Sequence, residues 1–181
     1  MDKGFTLIEL IIAIFILAVA VIGVYNAFSL MVVLTSDISD RLVASYLVQE
    51  GMEIVRNVRD NNWMSSADNP DYSWLANLTF CDNGCQADYT TGASSPNATS
   101  MSSWQGGAES GGIYLNIDSG GFYSYHAGQA TKFRRKITIS AIDEYTARVN
   151  VKVYFDEKPN ILNMTGTPGL IEAEEILYDW Y

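Results

Sequence analysis

The sequence predicts an α+β protein in which one long N-terminal α-helix, its first half able to cross a membrane, packs on a C-terminal antiparallel β-sheet of about four to five strands. Three observations carry that expectation. From Phe5 to Leu34 the only charged residue is Glu9. Residues 35–62 then continue without proline and set Val43, Leu47, Ile54, Val55 and Val58 on one helical stripe, with Gly51 among them. Beyond Gly112 the polarity alternates at period two in "FRRKITISAI" and "ARVNVKVYF", and "EAEEILYDWY" closes the chain.

The elements follow in order. At about 1.5 Å per residue, Phe5 to Leu34 reaches roughly 45 Å as a helix, more than the roughly 30 Å hydrocarbon core of a bilayer. Lys3 precedes this span, and Asp37 and Asp40 follow it. That asymmetry puts the amino terminus in the cytoplasm and everything after Leu34 outside. Residues 35–62 form the amphipathic half of the same helix. Residues 63–181 form an extracytoplasmic globular β domain that opens with a long loop region, 63–112, rich in Ser, Asn, Asp and Gly. Isolated aromatics at Trp63, Trp74, Phe80, Tyr89 and Trp104 predict ordered loops pinned by anchors, with a short helix or strand inside. "TTGASSPNATSMSS" is the stretch expected to move. "GIYLNIDSGGFYSY" reads as a hairpin around "DSGG".

With 181 residues and 48% apolar content, the chain has room for one domain and an appendage. Its 21 acidic and 11 basic residues give a net charge of −10, and the longest basic cluster is Lys132, Arg134, Arg135, Lys136. A broad phosphate-tracking surface is therefore disfavoured, and nucleic acid is not an expected partner. Arg134 and its neighbours read instead as solvated strand positions that guard a sheet edge.

Candidate chemistry is sparse. Cys81 and Cys85 in "CDNGC" would form a local disulfide outside the cytoplasm, with Asn83 and Gly84 supplying the turn. A zinc site would need further ligands, and His126 in "YSYHAG" is the only histidine, so no metal is expected. No serine, cysteine or carboxylate pair has the spacing of a nucleophile and its base. No catalytic residue and no cofactor are assigned, and His126 reads as a surface or strand-end residue. Asp118, and Asp82 with Asn83, could offer oxygens to calcium, but short acidic turns more often satisfy their own backbone. Trp63, Trp74 and Trp104 read as plugs between helix and sheet rather than a ligand surface. Asn77, Asn97 and Asn163 head N-x-T sequons. Glu53 with Arg56, and Arg56 with Asp60, read as ordinary helical neighbours.

Glu9 poses the sharper question. A carboxylate inside a spanning helix costs about 2.5 to 3.5 kcal/mol on insertion scales and usually finds a partner. "GFTLIE" after a short leader with Lys3 resembles the processing and methylation site of type IV prepilins and type II secretion pseudopilins. Gly4, Phe5, Glu9 at the fifth mature position and the unbroken apolar stretch behind them all match. The resemblance is strong over residues 1–60; beyond them it extends only to architecture, with "RKITI", "VNVKVYF" and "ILYDW" similar to the strands of minor pilins and small pseudopilins.

The resemblance implies that residues 1–4 are a prepilin leader. A membrane-embedded prepilin peptidase would cut between Gly4 and Phe5 and methylate the new amine. The helix would then pack with other pilin or pseudopilin subunits in a filament core, built by a pilus or secretion assembly platform. Cleavage creates a cation at Phe5, so the partner implied for Glu9 is the amine of a neighbouring subunit, a pairing that also sets axial register. Two rival readings exist. Glu9 could sit at headgroup level and serve only the helix dipole. "AVA" at Ala18–Ala20 could be a signal-peptidase site, but the apolar run continues to Leu34 and Glu9 would interrupt the signal's apolar region. The helix departs from many pilins in having no proline in its first half, where Gly23 and Asn26 are the only weak points. The cysteines fall between helix and sheet, which favours a minor subunit or pseudopilin over a major pilin.

The function expected is therefore a prepilin-type subunit of a type IV pilus-like filament, made as a single-pass cytoplasmic-membrane precursor and ending in an extracellular or periplasmic filament. A type II secretion minor pseudopilin remains open, as does a membrane-anchored binding module that never polymerises.

Overall fold

In the computed structural model the described residues are 4, 6–66, 73–92, 100–106, 111–156 and 168–179. They belong to two compact units, Met1–Ser39 and Asp40–Tyr181.

The first unit is built on the opening of helix α1 (Leu7–Ser66). Thr6 starts the helix: its carbonyl accepts from Leu10 N at 3.2 Å and its hydroxyl from Glu9 N at 3.4 Å, so orphan donors of the first turn find partners. From Leu7 onward the large apolar side chains stand exposed all round the helix; Phe15, for example, is 67% exposed. A helix apolar on every side is stable in lipid or against other apolar surfaces. The hydroxyls in and just beyond it are satisfied locally: Ser29 donates to the Tyr25 carbonyl at 3.1 Å and Thr35 to that of Met31 at 2.8 Å. Gly23 and Asn26 remain helical, so neither weak point breaks the rod.

In the second unit α1 runs on to Ser66, past the end expected at residue 62. Tertiary bonds hold the extra turn. Asn62 Nδ2 donates to the Trp74 and Ala76 carbonyls at 3.0 and 2.7 Å, and Trp63 Nε1 donates to Asp179 at 3.0 Å. Trp63 is thus a helix residue and not part of the following loops. Those loops contain a 3₁₀ helix (Thr79–Asn83) and two short strands, β1 (Cys85–Gln86) and β2 (Ser102–Ser103). Of the stretch expected to move, residues 93–99 lie outside the described residues, while Thr91 and Met101 beside them are buried.

The "DSGG" hairpin forms as expected. β3 (Asn116–Ile117) pairs antiparallel with β4 (Tyr123–Ser124), and Asp118 N donates to the Phe122 carbonyl at 3.0 Å. With β5 (Gln129–Ala130) they make a small sheet in the order β4-β3-β5. The main sheet takes the three long strands, β6 (Phe133–Ala141), β7 (Thr146–Phe155) and β8 (Gly169–Tyr178), in the antiparallel order β2-β1-β6-β7-β8. β6 is central. The basic cluster on it therefore does not guard an edge, contrary to the sequence expectation: β1 supplies the neighbour that the sequence did not reveal.

Period two decides which side chains face α1. Phe133, Arg135, Ile137 and Ile139 of β6 are buried, as are Ala147, Val149, Val151, Val153 and Phe155 of β7. They join Ala44, Leu47, Val48 and Val55 of α1 in one core, with Val43 and Val58 packed at its margin. Gly51 marks the closest approach. A Cβ there would lie 2.8 Å from Val151 Cγ1 and 3.1 Å from Arg135 Cδ. Cys81 and Cys85 form the disulfide, buried on the same core, and it ties the 3₁₀ helix to β1. Gly84 between them has φ +110°, a left-handed conformation that side chains resist.

Gly51→Val is expected to destabilise the second unit by about 1–3 kcal/mol, because the added methyls overpack the contact with Val151. Urea unfolding followed by tryptophan fluorescence measures this; an unchanged midpoint would mean that helix and sheet separate more readily than the packing indicates.

Candidate functional site

Of the residues singled out at the N-terminus, Gly4 and Glu9 are described. Gly4 is exposed, with no atom within 4 Å of the position a Cβ would take. Phe5 lies outside the described residues. Glu9 sits in the first helical turn, exposed, with its backbone N–H held by Thr6. The helix that follows is long and apolar enough to cross a membrane, its most apolar window having a mean hydropathy of 3.1 with none of it buried. Its chemistry is simple: one carboxylate on an otherwise lipophilic rod.

The candidates of the second unit resolve into structural roles. Asp118 Oδ1 accepts from Gly120 N at 2.8 Å and Phe122 N at 3.1 Å, while Oδ2 accepts from Tyr89 Oη at 2.8 Å. The Tyr89 hydroxyl and those amides hold its carboxyl below the usual carboxylate range, and the same bond raises the Tyr89 phenol. Its oxygens thus bond the hairpin amides and the Tyr89 hydroxyl. Asp82 Oδ1 likewise accepts from Asn83 N at 2.8 Å. His126 is half-exposed just past β4, 3.4 Å from Thr90 Oγ1. Among the described residues no three His, Cys, Asp or Glu side chains are grouped to hold a metal. Asn77 is exposed at φ +60°, while Asn97 and Asn163 lie outside the described residues.

The basic cluster is absorbed internally. Lys132 pairs with Asp40; Arg134 pairs with Asp156 and lies over Tyr114; Lys136 lies over Trp104 at 5.8 Å. Arg135 is fully buried. Its Nη1 donates to the Leu47 carbonyl at 3.0 Å and reaches Glu50 at 3.1 Å, and Nη2 donates to the Ala87 carbonyl at 2.6 Å. One guanidinium thus ties α1, the 87–92 loop and β6 together. Sequence reasoning read Arg135 as solvated, although its place two residues from Phe133 and from Ile137 was the available signal. Tyr125, whose hydroxyl donates to the Arg135 carbonyl at 3.2 Å, has its phenol pushed up to about 12 by burial.

Two of the three tryptophans are plugs, as expected, whereas Trp104 lies half-buried beneath Lys136, apart from the core between helix and sheet. Trp74 is buried with Nε1 on the Glu144 carbonyl, and Trp63 is partly buried under Arg59. Phe80 and Tyr89, expected as loop anchors, stay 41% and 45% exposed. On the helix, Arg56 pairs with Glu53 and, across to β8, bidentately with Glu175, whose hydrogen bonds raise its pKa. Asp60 pairs with Arg59 and not, as expected, with Arg56.

Residues 1–25 match the family model described as the prokaryotic N-terminal methylation motif. The N-terminus carries the type IV pilin and pseudopilin signature. No curated protein and no solved structure matches the chain significantly. The signature spans both Gly4 and Glu9, and with the apolar helix behind it marks a membrane-associated, prepilin-type precursor.

Because Asp118 is held below the ordinary carboxylate range, the order it brings to the "DSGG" hairpin is full above about pH 4 and is lost as pH falls through its depressed value. The Gly120 and Phe122 amide resonances are expected to hold their positions from neutral pH down to pH 4 and to shift only below it. Asp118→Asn should abolish that acid transition, and a persistent transition would assign it to another group.

Proposed function

We propose that the chain is a prepilin-type subunit of a type IV pilus-like filament. The observation that carries this reading is the methylation-motif match over residues 1–25, set on a helix whose apolar side chains are exposed on every side. Lys3 ahead of the span and Asp37 and Asp40 behind it favour a cytoplasmic amino terminus, with the β domain outside. Prepilin peptidase cuts the Gly4–Phe5 bond and transfers a methyl group to the new Phe5 amine. The subunit then leaves the membrane through an assembly platform and packs its helix against those of neighbouring subunits.

Glu9 acts as the register element. Buried in an apolar filament core, its carboxylate carries a desolvation cost that an amine of a neighbour offsets, and only one stagger of the helices brings the two together. A misplaced subunit would leave one carboxylate and one ammonium unpaired in an apolar surround. The pairing thus selects the axial position as well as contributing to cohesion. The reading assigns no catalytic role and no cofactor to the chain.

Glu9→Ala tests it in cells that make the filament. The variant is expected to be cut after Gly4 like the wild type, giving a chain that begins at Phe5. Its sheared-filament yield should fall about tenfold or more, in line with a lost pairing of at least about 1.4 kcal/mol per subunit. Intact mass measures the first outcome and quantitative immunoblotting the second. A chain that still begins at Met1 would overturn the prepilin reading, and an unchanged filament yield would overturn the role of Glu9.

A further inference from the structure

The described residues of the second unit line a recess that the fold does not use. An open groove of about 480 Å³ runs between the 50–60 face of α1 and the Tyr89–Thr91 loop. That volume falls within the range of small-molecule sites, roughly 300–1,000 Å³. Ile54 and Thr91 are its buried residues, and Tyr89 presents an exposed aromatic side. Tyr89 is a held ring: it packs on Phe122 with centroids 5.2 Å apart, and its hydroxyl is fixed to Asp118 at 2.8 Å.

The opposite bank is polar, and its charges are already neutralised within the unit. Glu50 is paired with Arg135, Glu53 with Arg56, and Asp60 with Arg59. The groove therefore has little demand for a cation, yet its hydrogen-bonding capacity is not exhausted. Arg56 occupies Glu53 Oε1, and Arg59 occupies Asp60 Oδ1. Asn57 Oδ1 accepts from Asn61, which leaves the Asn57 Nδ2 donor without a partner among the described residues. Residues 53, 57 and 60 stand at helical i, i+4 and i+7. They present a row of acceptor, donor and acceptor on one face, with neighbours about 5–6 Å apart.

We infer that this groove binds a neutral saccharide, with the Tyr89 ring against the apolar C–H face of a sugar and Glu53, Asn57 and Asp60 hydrogen-bonded to its hydroxyls. A sugar is the ligand class that matches both banks: flat and apolar on one side, and edged with closely spaced groups that donate and accept. A basic peptide would find each carboxylate already paired. An anion would face the carboxylates' remaining oxygens with Arg56 already spent on Glu53 and Glu175. The inference concerns the unassembled subunit and stands independently of the filament reading.

The test uses the full chain in lipid nanodiscs, which keeps glycoside detergents out of the groove. Cellobiose, chitobiose, lactose and α-mannobiose are titrated in turn, with trilysine as the charged rival, and binding is read from amide shifts of residues 53–60 and 89–91. Saturable, salt-insensitive binding of at least one disaccharide is expected. Tyr89→Ala should weaken it about tenfold and Asn57→Ala about fivefold, while Tyr89→Phe, which keeps the ring, should stay within about twofold of wild type. Since Tyr89→Ala could loosen the loop, Asn57→Ala, an exposed helix position, carries the result if that variant unfolds early. The inference is overturned if none of the four sugars saturates, if trilysine alone binds, or if binding survives Asn57→Ala and Tyr89→Ala unchanged.

Discussion

The second unit depends on how closely α1 approaches the sheet at Gly51. With no side chain there, the helix backbone comes down onto Val151 and the Arg135 stem, and the guanidinium can reach past it to the Leu47 carbonyl and Glu50. A buried guanidinium is tolerated when its charge is paired and most of its donors are met; the short reach to the helix pairs the charge with Glu50 and satisfies Nη1, while Nε stays buried without a partner among the described residues. The same residue takes the Ala87 carbonyl and so fixes the start of the loop that carries Asp88, Tyr89 and Thr91. Asp88 then organises that loop, accepting from Thr90 N at 3.0 Å and Tyr125 N at 2.9 Å. The position of Tyr89 beside the helix groove is thus a downstream consequence of one missing side chain.

Charge is distributed by the same logic. The chain is strongly acidic, but its described cations on β6 and on the helix are committed one by one to carboxylates, carbonyls and aromatic rings within the unit. Exposed pairs of this kind contribute little stability individually. Their effect is to pair the positive charges of the described residues within the unit.

The first unit obeys a different constraint. Its side chains gain nothing from water, and the helix has no polar face with which to meet it. Such a segment is stable only where its surround is apolar, and in that surround a lone carboxylate becomes the most costly and the most selective group present. Lipid and a packed bundle of like helices both satisfy the rod, and Glu9 is the one acidic group that neither of them matches.

The sequence by itself determined the apolar rod, the place of Glu9 on it, the motif over residues 1–25, the long helix, the hairpin around "DSGG" and the three long strands. All of these are local or periodic properties that neighbouring residues report directly. Tertiary structure alone decided the partners. It placed β6 at the centre of the sheet because two-residue strands such as β1 are too short to leave a periodic signal. It extended α1 to Ser66 because Asn62 and Trp63 bond to residues far along the chain. It turned Arg135 inward and laid Tyr89 beside residues 53, 57 and 60, since contacts across tens of residues depend on which surfaces the packed chain brings together. The groove therefore could not be read from spacing, while the N-terminal methylation signature, whose meaning is linear, could.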